Sequence, residues 1–193
     1  MKNEKLQVSK IDAARRQLDC AIELWFLDKD PVSIHTLAAA AYQIIHDINK
    51  KRGSPRELLY DTAMIKDEYR KKFVALMKRP VNFFKHADTD PDPNGMIEFA
   101  PDVALAFIVF SMSGLQSLGE HRTDMTNALF AWFCVHEPRY VKKDYLALFN
   151  KSIPSNQLVQ FKKISKSDFL KAVLATIHLF PHLRAARATK PST

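Results

Sequence analysis

Alternating oxygen-bearing side chains in the middle of the chain form a pattern that could bind a metal ion. Asp90, Asp92 and Asn94 occupy every second position of the segment DPDPNG. Carboxylate and amide oxygens are the ligands that calcium takes in proteins. Gly95 follows directly and allows the chain to turn sharply after the third side chain. Asp90, Asp92 and Asn94 are therefore candidate cation ligands.

The loop that starts at Asp90 resembles the calcium-binding loop of EF-hand proteins. Its order, DPDPNGMIEFAP, places oxygen ligands and a glycine where that loop has them. The last position, which holds a bidentate glutamate in EF-hands, is Pro101 here. The resemblance implies a weak cation site within Asp88–Asp102, with calcium bound no more tightly than roughly millimolar. The alternative is an acidic, proline-rich loop in which Asn94 and Gly95 make a turn.

The segment directly before this loop, RPVNFFKH, has six residues between an arginine and a histidine. This spacing resembles the R-x(4–6)-H motif of HEPN-domain proteins, a family of four-helix-bundle proteins that bind or cleave RNA in bacterial defence and toxin systems. The opening pair of helices, with its alanine-rich second member, is also similar to that family. The resemblance implies that Arg79 binds the scissile phosphate and that His86 performs acid–base chemistry on the ribose 2′-hydroxyl. Asn82 keeps the asparagine–histidine spacing of the motif.

An alternative interpretation of the same segment is structural. Arg79 would be a surface residue, and His86 would lie at a helix end, where a cation is favoured.

A third group of polar side chains lies in the segment predicted to form the second helix. His35, Tyr42 and His46 are spaced by seven and four residues, so they share one face of a helix. The two histidines are about 16 Å apart along an α-helix and cannot hold one metal ion together. Each could contact a group from another helix, such as His86 or Asp88. The alternative is that they are hydrogen-bonded residues at the edge of a bundle.

Helical periodicity dominates the elements that must position these residues. Apolar residues recur every three or four positions through most of the chain. Four residues have the type and position of helix N-caps: Ser9, Asp30, Thr123 and Ser165. We predict an all-α protein, a bundle of about six to seven helices that opens with an N-terminal antiparallel hairpin. A single helical domain spans residues 1–183, and a disordered basic tail follows over residues 184–193.

Three local features refine this prediction. The stretch Leu37–Ala41 has only small side chains after its leucine. These allow a close helix–helix approach, so the stretch is expected to lie centrally. Pro80 is expected to break or kink the third helix. The segment Leu158–Ile164 could be extended.

Composition limits the classes of partner. The net charge is +8, which permits binding to nucleic acid or to an acidic surface. Cys20 and Cys134 stand far apart in apolar patterns, which predicts buried free thiols. The longest apolar run, Val103–Leu115, is too short to cross a bilayer. With no signal region at the N-terminus, we expect a cytoplasmic protein with no membrane partner and no cofactor.

Two segments, DPVSIHTLA and NFFKHAD, are similar to a group of small bacterial hypothetical proteins that has no established activity. This resemblance implies a bacterial, cytosolic protein and supplies no chemistry. The leading hypothesis is a helical-bundle protein that acts by binding, as a homo-oligomer rather than as an enzyme. The alternatives are a HEPN-like RNA-binding protein or metal-independent ribonuclease using Arg79, Asn82 and His86, and a weak cation-binding protein using the acidic loop.

Two stretches that are apolar on nearly every side, Val103–Val109 and Ala128–Val135, motivate the oligomer. A helix that is apolar all round must be enclosed. We therefore predict a homodimer that buries part of the surface of four aromatic residues: Phe107, Phe110, Phe130 and Trp132.

Overall fold

The computed structural model describes residues 5–54, 57–88 and 91–176. This part of the chain contains eight α-helices and no β-strand. In chain order they are α1 Lys10–Phe26, α2 Pro31–Lys51, α3 Asp67–Phe83, α4 Val103–Ser117, α5 Asp124–His136, α6 Lys143–Ser152, α7 Ser155–Phe161 and α8 Lys166–Thr176. The predicted all-α fold is confirmed, with one or two more helices than expected. The predicted basic tail at 184–193 and the domain end at 183 lie outside the described residues.

The four predicted N-caps all form. Ser9 Oγ accepts the backbone N–H of Asp12 at 3.1 Å, and Asp30 Oδ2 accepts that of Ser33 at 2.7 Å. The hydroxyl oxygens of Thr123 and Ser165 accept the N–H groups three residues later in the same way. Each side chain satisfies a backbone donor that the first turn of its helix leaves unpaired. Helix starts were therefore fixed by local sequence.

The described chain forms two compact units, and the boundary between them falls within α1. Unit 1 holds the described residues up to Ala21 together with Lys29–Glu120. Unit 2 holds Ile22–Asp28 and the described residues from His121 onward. Residues 27–30 make the short connection between α1 and α2 that the predicted hairpin needs.

The centre of unit 1 is the packing of α2 against α4. Ala38, Ala41 and Ile45 of α2 are fully buried, which agrees with the close approach expected from the alanine-rich stretch. Gly114 of α4 makes that approach tightest: a Cβ placed there would lie 2.5 Å from Ile45 Cγ2. A real side chain cannot occupy that space, so the two helices meet through a glycine.

Unit 2 has an aromatic core. The Trp132 ring meets Trp25 and Phe169 edge-on, with ring centroids 5.7 Å and 5.1 Å away. Phe26 stacks on Phe169, and both are fully buried. The His136 ring stacks on Trp132 at 3.6 Å. This unit therefore buries the apolar face of α5 largely through contacts among rings.

Three local predictions were wrong in whole or in part. Pro80 was expected to break or kink the third helix. It lies inside α3 and does not end it, so the break is wrong, and the kink stays a prediction. The carbonyl that Pro80 leaves unpaired belongs to Leu76, an exposed residue that solvent can reach. The segment Leu158–Ile164 is not extended, because its first four residues belong to the helix Ser155–Phe161. Cys20 is exposed, and only Cys134 has the predicted buried thiol.

One residue of the predicted dimer surface is also excluded. Phe107 is fully buried inside unit 1, so the prediction that a partner chain covers it is wrong. Phe110, Phe130 and Trp132 are half-buried.

Candidate functional site

An open cleft of about 450 Å³ lies between the end of α3 and the loop that follows it. Its polar lining includes the three residues of the arginine–histidine motif, Arg79, Asn82 and His86, together with Asp92 from the loop. Five apolar side chains also line it: Phe83, Ala87, Pro93, Met96 and Ile97. The two segments singled out by the sequence therefore meet in one cleft.

Local helical geometry brings the three motif residues together. They are spaced by three and four positions, which places them on one side of an α-helix. Although α3 ends at Phe83, the His86 N–H still donates to the Asn82 carbonyl at 2.9 Å. This bond prolongs the helical turn through His86 and keeps its side chain beside those of Arg79 and Asn82.

The motif side chains remain open to solvent. Arg79 and Asn82 are exposed, and the His86 side chain is 54% exposed. Among the described residues, Arg79 has no carboxylate within ion-pair distance. His86 Nδ1 lies 3.7 Å from Asp88 Oδ1, so a carboxylate stands beside one ring nitrogen while Nε2 is left for another partner. This arrangement can bind an anion and can move a proton.

The loop residues fold as a turn. Asp92 Oδ1 accepts the Asn94 N–H at 2.9 Å, and the Asp92 carbonyl accepts the Gly95 N–H at 3.0 Å. These bonds are those of an Asx turn, so one carboxylate oxygen proposed for a cation is already used by the chain. Asp90 lies outside the described residues. Over residues 5–54, 57–88 and 91–176, no three His, Cys, Asp or Glu side chains are grouped as metal ligands.

Unpaired positive charge continues from the cleft along α3. Four basic residues from this helix and the turn after it are exposed and have no carboxylate within ion-pair distance among the described residues: Lys71, Lys72, Arg79 and Lys85. Lys72 and Arg79 are seven residues apart, about 10 Å along a helix, and so lie on one face of α3.

Arg70, on the same helix, makes structural contacts within the protein. Its guanidinium donates to the carbonyls of Tyr60, Thr62 and Ile65 at 3.0–3.3 Å and pairs with Asp67 at 2.9 Å. It therefore holds the segment that precedes α3 and is not free for a ligand.

The third predicted group does not form one site. His35 is fully buried and packs edge-on against three phenylalanine rings, Phe84, Phe99 and Phe107, with ring centroids 4.9–5.7 Å away. Neither ring nitrogen has a hydrogen-bond partner within the described part of the chain. Burial, assisted by the charge of Lys85, lowers the pKa of His35 to about 4. The interpretation of His35 as a hydrogen-bonded residue at a bundle edge is wrong.

Tyr42 and His46 have structural partners. The Tyr42 hydroxyl accepts the Tyr60 N–H at 3.0 Å, and burial raises the pKa of this phenol well above its ordinary value. His46 Nε2 lies 2.6 Å from Asp61 Oδ2, and its Nδ1 lies 3.3 Å from Asp47 Oδ1. Neither residue contacts His86 or Asp88, the partners suggested from sequence.

Sequence reasoning missed the groups around His46. Asp61 lies in an irregular segment with no periodicity, so its approach to α2 left no signal in the pattern. Asp47 directly follows His46 and could have been recognised as its neighbour. Asn49, three residues after His46, is 3% exposed, although asparagine near the basic end of a helix is usually read as solvated.

Comparison with protein-family models, with curated proteins and with solved structures gives no match. The helices described in residues 5–54, 57–88 and 91–176 are each too short or too polar to serve as a membrane span.

Proposed function

We propose that this protein binds single-stranded RNA along α3, with Arg79 and Asn82 at the cleft contacting a phosphate. The main support is the unpaired charge. Lys71, Lys72, Arg79 and Lys85 are exposed without carboxylate partners in the described chain. Phosphate contacts from lysine and arginine supply most of the affinity of proteins for nucleic acids.

The shape of the surface favours a single strand over a duplex. The cleft is concave and about 450 Å³ in volume, which suits one nucleotide unit. Tyr69 of α3 is 57% exposed, and exposed aromatic rings are the surfaces on which unpaired bases stack. The similarity of Arg79 and His86 to the HEPN motif makes RNA the favoured polymer.

Metal-independent cleavage of the bound RNA is a second candidate, favoured by the position of His86 beside Asp88. In that reaction His86 takes the proton of a ribose 2′-hydroxyl and the 2′-oxygen attacks phosphorus. The P–O5′ bond breaks, and the 5′-oxygen takes a proton from water. The products are a 2′,3′-cyclic phosphate and a 5′-hydroxyl. Arg79 stabilises the charge on the phosphate.

Fluorescence anisotropy with a labelled oligouridine tests the binding proposal. We expect the double variant Lys72→Glu/Arg79→Glu to lose at least tenfold in affinity and to flatten the dependence of affinity on salt. The matched control is Lys10→Glu/Arg16→Glu, which makes the same charge change at exposed positions of α1. An equal loss of affinity in both variants would show that net charge alone causes the binding, and it would contradict a site on α3.

Cleavage is tested separately, in the presence of a chelator. His86→Gln should abolish cleavage and leave the anisotropy unchanged, whereas a substrate with a 2′-deoxyribose at the cleaved position should bind and remain intact. Cleavage that persists in His86→Gln would contradict the proposed ribonuclease reaction. The binding proposal would be unaffected.

We further propose that the protein is a cytoplasmic homodimer. With Phe107 buried, exposed apolar residues within each unit support this proposal: Val109 of α4 in unit 1 is 40% exposed, and Tyr145 and Leu148 of α6 in unit 2 are 46% and 59% exposed. Light scattering decides the oligomeric state. A mass that stays near the single-chain 22.1 kDa at all concentrations would exclude the dimer.

A further inference from the structure

The cleft at the end of α3 contains charges of opposite sign that do not pair with each other. Arg79, Asn82 and His86 line it from the helix and the turn that follows, and Asp92 lines it from the loop. Within the described part of the chain, no lysine, arginine or histidine lies within ion-pair distance of the Asp92 carboxylate. A cleft of about 450 Å³ with both charges unpaired suits a ligand that has an anionic group and hydrogen-bond donors.

The Asp92 carboxylate is held in position and keeps acceptor sites for a ligand. Its Oδ1 accepts the Asn94 N–H at 2.9 Å, and the Asp92 carbonyl accepts the Gly95 N–H at 3.0 Å. An ionised carboxylate has about four acceptor sites and no donor, so the turn occupies one site and leaves the others. Because Asp92 is exposed, a ligand can reach it. The loop therefore presents a fixed acceptor that can pair only with donor groups.

Among the four RNA bases, guanine matches such an acceptor best. Unpaired bases are recognised through hydrogen bonds along their Watson–Crick edges. The edge of guanine has two adjacent donors, N1–H and the N2 amino group, which can both donate to one carboxylate. Adenine and cytosine have one amino group beside a ring-nitrogen acceptor, and uracil has a single N–H between two carbonyls. Those acceptors are repelled by a carboxylate, so the other three bases are less well matched.

We propose that Asp92 recognises guanosine in the RNA bound at this cleft, by accepting hydrogen bonds from N1–H and the N2 amino group while Arg79 contacts a phosphate. This inference rests on the RNA binding proposed above and adds a base preference to it. Phe83, which also lines the cleft, offers an aromatic ring to the base. Because phosphate contacts position a strand and base contacts read its sequence, Asp92 determines selectivity and Arg79 determines affinity.

Fluorescence anisotropy with three labelled oligomers tests this: an oligouridine, the same oligomer with one internal guanosine, and the same oligomer with one internal inosine. Inosine keeps N1–H and lacks the N2 amino group. We expect the guanosine oligomer to bind at least about fivefold more tightly than oligouridine, with the inosine oligomer between them. Equal affinity for all three would overturn the role of Asp92 and leave RNA binding intact. Failure of all three to bind would overturn both proposals.

Three variants identify the group responsible. Asp92→Asn keeps an oxygen for the Asn94 N–H but places an NH₂ group where guanine donates, so the preference for guanosine should disappear. Glu98→Gln makes the same charge change at an exposed position of the same loop and should keep the preference. Lys72→Glu should weaken all three oligomers by the same factor. A preference that survives Asp92→Asn, or that is lost equally in Glu98→Gln, would contradict recognition by the Asp92 carboxylate.

Discussion

Two rows of polar residues in unit 1 each lie on one face of a helix and have opposite environments. On α2, His35, Tyr42 and His46 are buried. At the end of α3, Arg79, Asn82 and His86 are exposed around a cleft. Helical spacing determined which residues share a face in both rows. Whether that face is open for a ligand was decided by what packs against it.

The two helices differ because α2 is central and α3 is peripheral. The α2 row meets aromatic rings from three directions, including Phe84, Phe99 and Phe107 around His35. By contrast, α3 has no buried residue along its length. Polar residues on one helix face are therefore part of the packed interior on α2 and remain available for binding on α3.

The largest effect on stability should come from lowering the pH, because this protonates His35 in the α2 row. Burial holds the pKa of His35 at about 4, whereas the ordinary value is 6.5. The unfolded chain therefore binds a proton that the folded chain excludes, and this contribution to stability is complete above pH 6.5 and is lost as the pH falls toward 4. The full loss is about 3 kcal/mol. Urea unfolding between pH 7 and pH 4 measures it.

Two variants at position 35 separate titration from packing. His35→Phe and His35→Gln remove the titrating group but differ in polarity, so they should differ in stability at pH 7. Both should show a flatter pH dependence than the parent chain. If the free energy of unfolding still depends on pH to the same extent in both variants, another group causes that dependence and the assignment to His35 is wrong.

A smaller effect is expected from removing one hydroxyl of the same row. Tyr42→Phe leaves the buried Tyr60 N–H without its acceptor, which should destabilise the protein by about 1–3 kcal/mol. Tyr69→Phe, on exposed α3, is the matched control and should stay within about 0.5 kcal/mol. Equal losses in the two variants would contradict the contrast between the helices.

Much of this contrast was invisible in the sequence for a definable reason. Caps such as Ser9 and Asp30 act within one turn, so a local pattern predicted them correctly. The cleft at Arg79 was predictable because its three motif residues are neighbours on one helix. The surroundings of His35 and His46 depend on Phe99 and Asp61, which come from irregular segments outside α2. Non-periodic contacts of that kind leave no signature in hydrophobic spacing.

The exposed row should tolerate truncation with almost no loss of stability. Arg79→Ala, Asn82→Ala and His86→Ala should each change the free energy of unfolding by less than about 0.5 kcal/mol, since none of these side chains is buried. Arg79→Ala should nevertheless lower RNA affinity about three- to tenfold. Urea unfolding and anisotropy on the same samples give both quantities. A loss above about 2 kcal/mol in the free energy of unfolding, which is the size expected of core substitutions, would show that this row is structural like the row on α2.

Calcium should have the smallest effect, although the loop beside this row resembles a calcium site. Asp92 Oδ1 is already bonded to the Asn94 N–H, and Pro101 offers no side-chain oxygen where a bidentate ligand is needed. We expect a dissociation constant of roughly millimolar or weaker. Calcium at a concentration equal to that constant would stabilise the protein by only about 0.4 kcal/mol. Calorimetric titration of the parent chain and of Asp92→Ala measures this directly. Micromolar affinity that disappears in Asp92→Ala would mean that the turn opens to wrap an ion, and the loop would then be a binding element in its own right.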